Sequence, residues 1–211
     1  MKHKNTSLGF TIVELLVVIL VIGILAGLVY TGYGQYQRKA KNSLKNDAAK
    51  SLTVGLKTYI GKYNQYPLPD SAVSIIYGVC LGKGPELRDG KCTNASWSEV
   101  SSNFNVELEK VTKLSNFEYD TSRIQLSGGE FYEGIVFVQR GGAKVNSKNN
   151  KFFLEYALAG DDATCGKQGA VKRNNPNSYE STTLDYSLRA NGNTLCVIPL
   201  LDPDNPESVL P

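Results

Sequence analysis

The almost unbroken apolar run from Leu15 to Tyr30, opened by Phe10-Thr11-Ile12-Val13-Glu14, limits what the start of this chain can become. From Phe10 to Tyr30 is about 21 residues, and a helix of that length is about 31 Å long, the thickness of a bilayer's hydrocarbon core. A cleaved secretory signal would have a shorter apolar core followed by a small-x-small site. The segment Thr31-Gly32-Tyr33-Gly34-Gln35-Tyr36 offers no good one, so the sequence predicts a retained membrane-spanning helix over residues 10–30. Tyr30, Tyr33 and Tyr36, three apart at its far end, read as an interfacial aromatic belt. Gly23-x-x-x-Gly27 lets a second helix approach closely.

Glu14 is the anomaly in this run. A carboxylate inside an apolar segment is expensive and needs a partner or a function. The nearest basic groups in sequence, Lys2 and Lys4, lie upstream of Gly9. Cleavage after Gly9 would replace them with the α-amino group of Phe10, four residues from Glu14. The amine of one chain and the carboxylate of a neighbour would then pair when helices pack side by side with a small axial shift.

The string Lys2-x-Lys4 followed by Leu8-Gly9-Phe10-Thr11-Ile12-Val13-Glu14-Leu15-Leu16-Val17-Val18 closely resembles the class III leader of type IV pilins and type II secretion pseudopilins. The resemblance implies that a membrane aspartyl protease, prepilin peptidase, cuts after Gly9 on the cytoplasmic face. It implies that Phe10 becomes the N-methylated amino terminus and that Glu14 aligns subunits during assembly. The fold implied is α+β, a type IV pilin fold in which a long amino-terminal helix, apolar and transmembrane in its first half and amphipathic in its second, packs on an antiparallel β-meander. The implied partners are further copies of the chain in a helical homopolymer, the peptidase, an inner-membrane pilus assembly platform and the membrane itself. The precursor would sit in the cytoplasmic or inner membrane with its head outside the cytoplasm, then enter an extracellular or periplasmic filament. Two alternatives accompany the pilus reading: a pseudopilin of a type II secretion or competence (DNA-uptake) system, and a membrane-tethered adhesin or binding domain that never polymerises.

Beyond the apolar run, Ala40, Leu44, Ala48, Leu52, Leu56, Tyr59 and Tyr63 recur at spacings of four and once three, an amphipathic stripe. One helix from about Thr11 to about Tyr63 would be roughly 80 Å long. Pro67 and Pro69 cannot extend it, and Tyr66-Pro67 resembles the tyrosine-proline step at which major pseudopilins and many pilins end this helix. Gly27, Gly32 and Gly34 lower helix propensity midway, and the resemblance implies local unwinding there in a filament. The division is therefore a leader over 1–9, a long helix over 10–63, and one soluble α+β head over 64–211, enough chain for one modest core.

Within the head, Ser101-Ser102-Asn103 followed by Phe104, Leu108 and Val111 reads as a capped short helix. Residues 134–140 and 152–158 read as strands joined by a polar loop, with 184–188 and 194–198 as further strands and 202–207 as an irregular tail. Arg38, Lys39, Lys41 and Lys45 make the far flank of the apolar run more basic than the leader, which by lysine and arginine counting would invert the topology. The cysteines argue against inversion. Cys80, Cys92, Cys165 and Cys196 form an even set with no Cys-x-x-Cys pair and no histidine beside them, which favours disulfides outside the cytoplasm over zinc or redox chemistry. Four cysteines allow three pairings. The favoured one joins Cys80 with Cys92, stapling a Gly-rich excursion, and Cys165 with Cys196, closing a carboxy-terminal loop like the one the resemblance implies.

The only histidine is His3, in the expected leader, so the processed chain has no serine-histidine or cysteine-histidine nucleophile pair and no histidine metal site. Asp161-Asp162 reads as a solvated turn, and no Gly-rich phosphate loop follows a strand and opens a helix. The chain is read as a non-enzyme without a cofactor. Asp202, Asp204, Asn205 and Glu207 give a weak calcium signature, since major pseudopilins bind that ion in a carboxy-terminal loop and oxygen-rich ligands suit it. The formal charge is +3, and without Lys2 and Lys4 it is about +1, so no global field draws the chain to DNA. Local basic loops, one with Arg140, Lys144, Lys148 and Lys151 and one with Lys167, Lys172 and Arg173, are the places where DNA contact would occur.

Overall fold

The computed structural model describes residues 10–68, 76–81, 92–93, 98–99, 102–114, 123–125, 131–140, 144–145, 148–149, 151–161, 163–166, 171–172, 188–190 and 192–204. The elements in chain order are α1 (Ile12–Tyr63), β1 (Ile76–Leu81), β2 (Ser98–Glu99), α2 (Ser102–Glu109), β3 (Ile124–Gln125), β4 (Phe131–Tyr132), β5 (Ile135–Arg140), β6 (Lys144–Val145), β7 (Lys148–Asn149), β8 (Phe152–Ala159), β9 (Val171–Lys172), β10 (Leu188–Ala190) and β11 (Asn193–Pro199). The chain divides into two compact units, Met1–Arg38 and Lys39–Pro211.

In the first unit the helix is apolar on every side, and Phe10, Ile12, Leu16, Leu20 and Leu25 are all exposed. Among the described residues no helix is long and apolar enough to cross a membrane. The described side chains of this run end at Gly27, so the expected span's last residues, 28–30, lie outside them.

In the second unit a seven-stranded sheet has the order β10-β11-β8-β5-β1-β2, with β9 pairing β11. The pairs β1–β5, β5–β8, β8–β11 and β10–β11 are antiparallel, so the long strands form the meander of the α+β expectation. The outer pair departs from it: β2 runs parallel to β1, with Gly78 opposite Ser98. The strand expected over 184–188 is seen as β10, and residues 184–187 lie outside the described residues. The short helix is α2, and Ser101, its expected cap, lies outside them too.

The sheet is buried on both faces, which is why its strands read as apolar runs rather than alternating ones. On one face Val79, Leu81, Ile135, Phe137, Phe152, Leu154, Tyr156, Leu158 and Ile198 share a core with Ala48, Ala49, Leu52, Leu56, Tyr59 and Ile60 of α1 and Phe104 and Leu108 of α2. On the other, Cys80, Val136, Val138, Phe153, Ala157, Leu195 and Val197 pack with Cys92, Ile124 and Tyr132. Glu155 points into this second face, fully buried, and accepts the Tyr132 hydroxyl at 2.8 Å.

The α1 stripe agrees with the expected one at Ala48, Leu52, Leu56 and Tyr59 and departs from it at both ends. Ala40 and Leu44 are exposed, Leu44 at 54%, and Tyr63 is on the margin, whereas Lys45 is 1% exposed and Ala49, Thr53 and Ile60 are inside. A constant step of four advances about 40° round a helix of 3.6 residues per turn. A ladder of fours that meets the buried face from Ala48 to Leu56 therefore lies off that face at Ala40 and Leu44, and a steady contact needs steps of three mixed with steps of four. The helix also stops before its prolines. Asn64 adopts the left-handed conformation (φ 55°) and its N–H donates to Ile60 O at 2.7 Å, a helix-ending arrangement that asparagine tolerates. Tyr66 follows, its ring against Phe137 and Phe152 and its hydroxyl donating to Leu201 O at 2.8 Å.

Gly55 is where α1 meets the turn after α2: a Cβ there would lie 2.7 Å from Thr112 Cγ2, whereas nothing lies within 4 Å at Gly61. Gly55→Val is expected to destabilise the fold by about 1–3 kcal/mol through overpacking, and Gly61→Ala to stabilise it by up to about 1 kcal/mol through helix propensity. Denaturant titration of the full chain in detergent checks both, and equal effects at the two sites would contradict the packing described. Burial, with the Asp202 charge adding to it, pushes the Tyr66 hydroxyl above its ordinary range, and burial does the same at Tyr156. Because the folded state holds these protons more tightly, their contribution is present below about pH 10 and is lost as pH rises beyond it. Phenolate absorbance should show these two tyrosines ionising only with unfolding.

Candidate functional site

The first turn of α1 is built from Thr11-Ile12-Val13-Glu14, which has the T-x-x-E pattern of a capping box. The structure closes that box in both directions. Thr11 Oγ1 accepts the Glu14 N–H at 3.2 Å, and Glu14 Oε2 accepts the Thr11 N–H at 2.8 Å and the Thr11 hydroxyl at 2.7 Å. Two amides that a helix start leaves without intrahelical partners are thereby satisfied. The carboxylate also lies at the positive end of the helix dipole.

Glu14 therefore has a partner within its own chain, which the sequence reading left to a neighbouring chain. The amide it holds is the one that joins Phe10 to Thr11, one peptide from the expected amino terminus. Thr11, Glu14 and Phe10 are all exposed. Gly9, the expected cleavage residue, lies outside the described residues.

The cysteines are joined as Cys80–Cys92, with Cα atoms 5.7 Å apart, and Cys165–Cys196, at 5.6 Å. The first lies on the sheet face away from α1, and Cys196 lies on the face towards it. Two residues that the sequence reading did not single out fasten α1 to the same region. Asn42 and Asn46, one turn apart, hydrogen-bond the backbone at Ala159 and on either side of Cys165.

Of the four carboxy-terminal calcium candidates, Asp202 and Asp204 are described. Asp202 is buried and its Oδ1 accepts the Asp204 N–H at 3.1 Å, while the Asp204 carboxylate faces Lys151 Nζ at 3.6 Å. Asn205 and Glu207 lie outside the described residues. Among the described residues no three His, Cys, Asp or Glu side chains gather to hold a metal. Lys151 beside Asp204 would compete with a cation for that carboxylate. Asp161 is exposed in a turn, with Asp162 outside the described residues. Of the basic groups, Arg140 ends β5, Lys144 and Lys148 lie on the paired β6 and β7, and Lys172 lies on β9. Lys151 is engaged by Asp204 and lies over the Phe152 ring. Lys167 and Arg173 are outside the described residues.

Removing the Thr11 hydroxyl tests the box. Thr11→Val keeps the side-chain shape and is expected to accelerate hydrogen exchange at the Glu14 amide, leaving amides beyond Leu20 unchanged. Unaltered exchange at Glu14, measured on the full chain in detergent, would show that the box does not hold the first turn.

Residues 4–30 match the family model described as the prokaryotic N-terminal methylation motif. Neither the curated proteins nor the solved structures gave a match to the chain. The matched segment takes in residues 4–9 of the expected leader, the capping box and the apolar run, so the chain carries the methylation motif and class III leader of type IV pilins and pseudopilins.

Proposed function

We propose that this chain is a structural subunit of a type IV pilus filament, processed after Gly9, methylated at Phe10 and polymerised through α1. One coincidence carries the reading. The methylation motif ends inside the same helix whose first turn is capped by Glu14 and whose later turns are buried against a sheet. A leader, an assembly helix and a folded head are thus joined in one chain.

On this reading the precursor is anchored in the inner or cytoplasmic membrane by its apolar run, with the head outside the cytoplasm. Prepilin peptidase removes the leader and an inner-membrane platform receives the subunit. Side chains such as Ile12, Leu16 and Leu20 then exchange acyl chains for neighbouring helices, and because both surroundings are apolar the exchange is close to neutral. Register must come from polar groups. Glu14 supplies one, since the Phe10 amine of an adjacent subunit would find a carboxylate already fixed in orientation by Thr11. The role is structural and non-catalytic. A pseudopilin of a secretion or competence machine is the second reading, since it would share the leader, the long helix and the helix stop at Tyr63 ahead of Tyr66-Pro67.

Shearing cells and sequencing the fibre protein from its amino terminus tests the first reading. The expected result is a methylated Phe10 followed by Thr11-Ile12. Absence of this subunit from long surface fibres, with processing intact, would favour the pseudopilin. Glu14→Ala is expected to leave membrane insertion and cleavage unchanged and to reduce fibre yield severely; normal yield would remove Glu14 from assembly. Replacing Gly9 should abolish both processing and function, whereas a simple membrane tether would keep its function.

A further inference from the structure

The buried face of α1 carries a polar device distinct from its apolar packing. Asn42 Nδ2 donates to Ala159 O at 2.8 Å and its Oδ1 accepts the Ala159 N–H at 3.0 Å. One turn later, Asn46 Nδ2 donates to Thr164 O at 3.1 Å, while its Oδ1 accepts the Gly166 N–H at 3.2 Å and the Tyr156 hydroxyl at 2.8 Å. Thr164 and Gly166 flank Cys165, so a single carboxamide grips the backbone on both sides of a half-cystine. Its sulfur partner, Cys196, is fully buried on β11, directly across from Tyr156 of β8. The same Asn46 oxygen therefore touches the cysteine loop and the residue beside its target.

We propose that Asn46 is a positioning residue for the Cys165–Cys196 disulfide. It sets Cys165 over Cys196 once α1 has docked, so that this bond forms on a prepared loop and registers that the helix is in place. Cys165 and Cys196 are 31 residues apart, and bringing such a loop together is opposed by chain entropy. Two hydrogen bonds beside Cys165 remove much of that freedom before any sulfur bond exists. Cys80–Cys92 lies on the opposite face of the sheet, out of reach of this clamp, and serves as an internal comparison.

Burial also fixes the order of the chemistry. Cys165 is half-buried and Cys196 fully buried, so a small disulfide oxidant reaches Cys165 first. The Cys165 thiolate attacks the oxidant, forming a mixed disulfide and releasing one thiol. The Cys196 thiolate then attacks Cys165 Sγ and releases the second. The two protein thiols lose two protons and two electrons, and the oxidant gains both as two thiols.

The test uses the full chain, reduced and unfolded, diluted into detergent with oxidised and reduced glutathione, quenched by alkylation and mapped by mass. Asn46→Ala is expected to slow Cys165–Cys196 formation about tenfold, from loss of its hydrogen bonds, with Cys80–Cys92 forming at its normal rate. Asn46→Asp keeps the two acceptor bonds and loses the donor, and should fall between. Asn42→Ala, which anchors the helix without touching the loop, should slow the bond by less than Asn46→Ala. In Cys196→Ala glutathione should accumulate on Cys165, while in Cys165→Ala folded chains should carry none on Cys196. Equal slowing of both disulfides by Asn46→Ala, equal slowing by the two asparagine variants, an unchanged rate, or glutathione on Cys196 would each overturn the proposal.

Discussion

The contact between one face of α1 and one face of the sheet sets most other features of the head. A helix with 3.6 residues per turn meets strands whose side chains alternate with period two, and the two surfaces agree over only a limited arc. Ala48, Ala49, Leu52, Leu56 and Ile60 fill that arc on the helix, and Phe137, Leu154, Tyr156 and Ile198 fill it on the sheet. Each fully buried aliphatic or aromatic side chain contributes about 1.5–3 kcal/mol, so the contact outweighs any single polar bond in the unit. It includes two alanines, Ala48 and Ala49, and it needs a glycine at Gly55 where the turn after α2 crosses. It also leaves backbone groups at the sheet's end and in the Cys165 loop that apolar side chains cannot satisfy. Asn42 and Asn46 meet that need.

Sequence pattern carries information only over short separations, and the features it revealed and hid divide along that line. The helix was legible because its apolar run and the following amphipathic stretch are uninterrupted from Ile12 to Tyr63. The strands β5, β8 and β11 were legible as continuous apolar segments of six to eight residues. Two-residue strands such as β3, β4 and β9 carry no periodicity. The parallel pairing of β2 with β1 depends on a connection whose path no local pattern encodes. The buried face of α1 was legible from Ala48 to Tyr59 and misplaced at Ala40 and Leu44, because a ladder of fours follows a stripe over two turns and departs from it over four. Asn42 and Asn46 could not be read at all, since their partners lie more than a hundred residues away. The capping box, by contrast, was visible in Thr11-x-x-Glu14, but the membrane setting drew attention to Glu14 as a charge lacking a partner.

The two asparagines and Glu14 show how one helix handles polarity in two ways. Glu14 is satisfied locally, by a residue three positions away, so its bonds form with the first helical turn and require no other element. Asn42 and Asn46 are satisfied at long range, so their bonds exist only when the head has folded around the helix. The first arrangement suits a helix start whose side chains are exposed on every side. A helix that must not slide against its own head benefits from the second.

That difference bears on what fixes the rotation and depth of α1. A stretch that is apolar all round has no preferred rotation or depth among similar stretches, because its apolar burial changes little with either. Along α1 such indifference ends where the face becomes one-sided, and from Asn42 onward each turn is tied to a particular strand or loop. The Cys165–Cys196 disulfide closes that region covalently, so the loop gripped by Asn46 cannot peel from β11 even if the grip is lost. Local capping at one end of the helix and a cross-linked clamp on its docked face are complementary solutions: the first needs no other element, and the second exists only in the folded head.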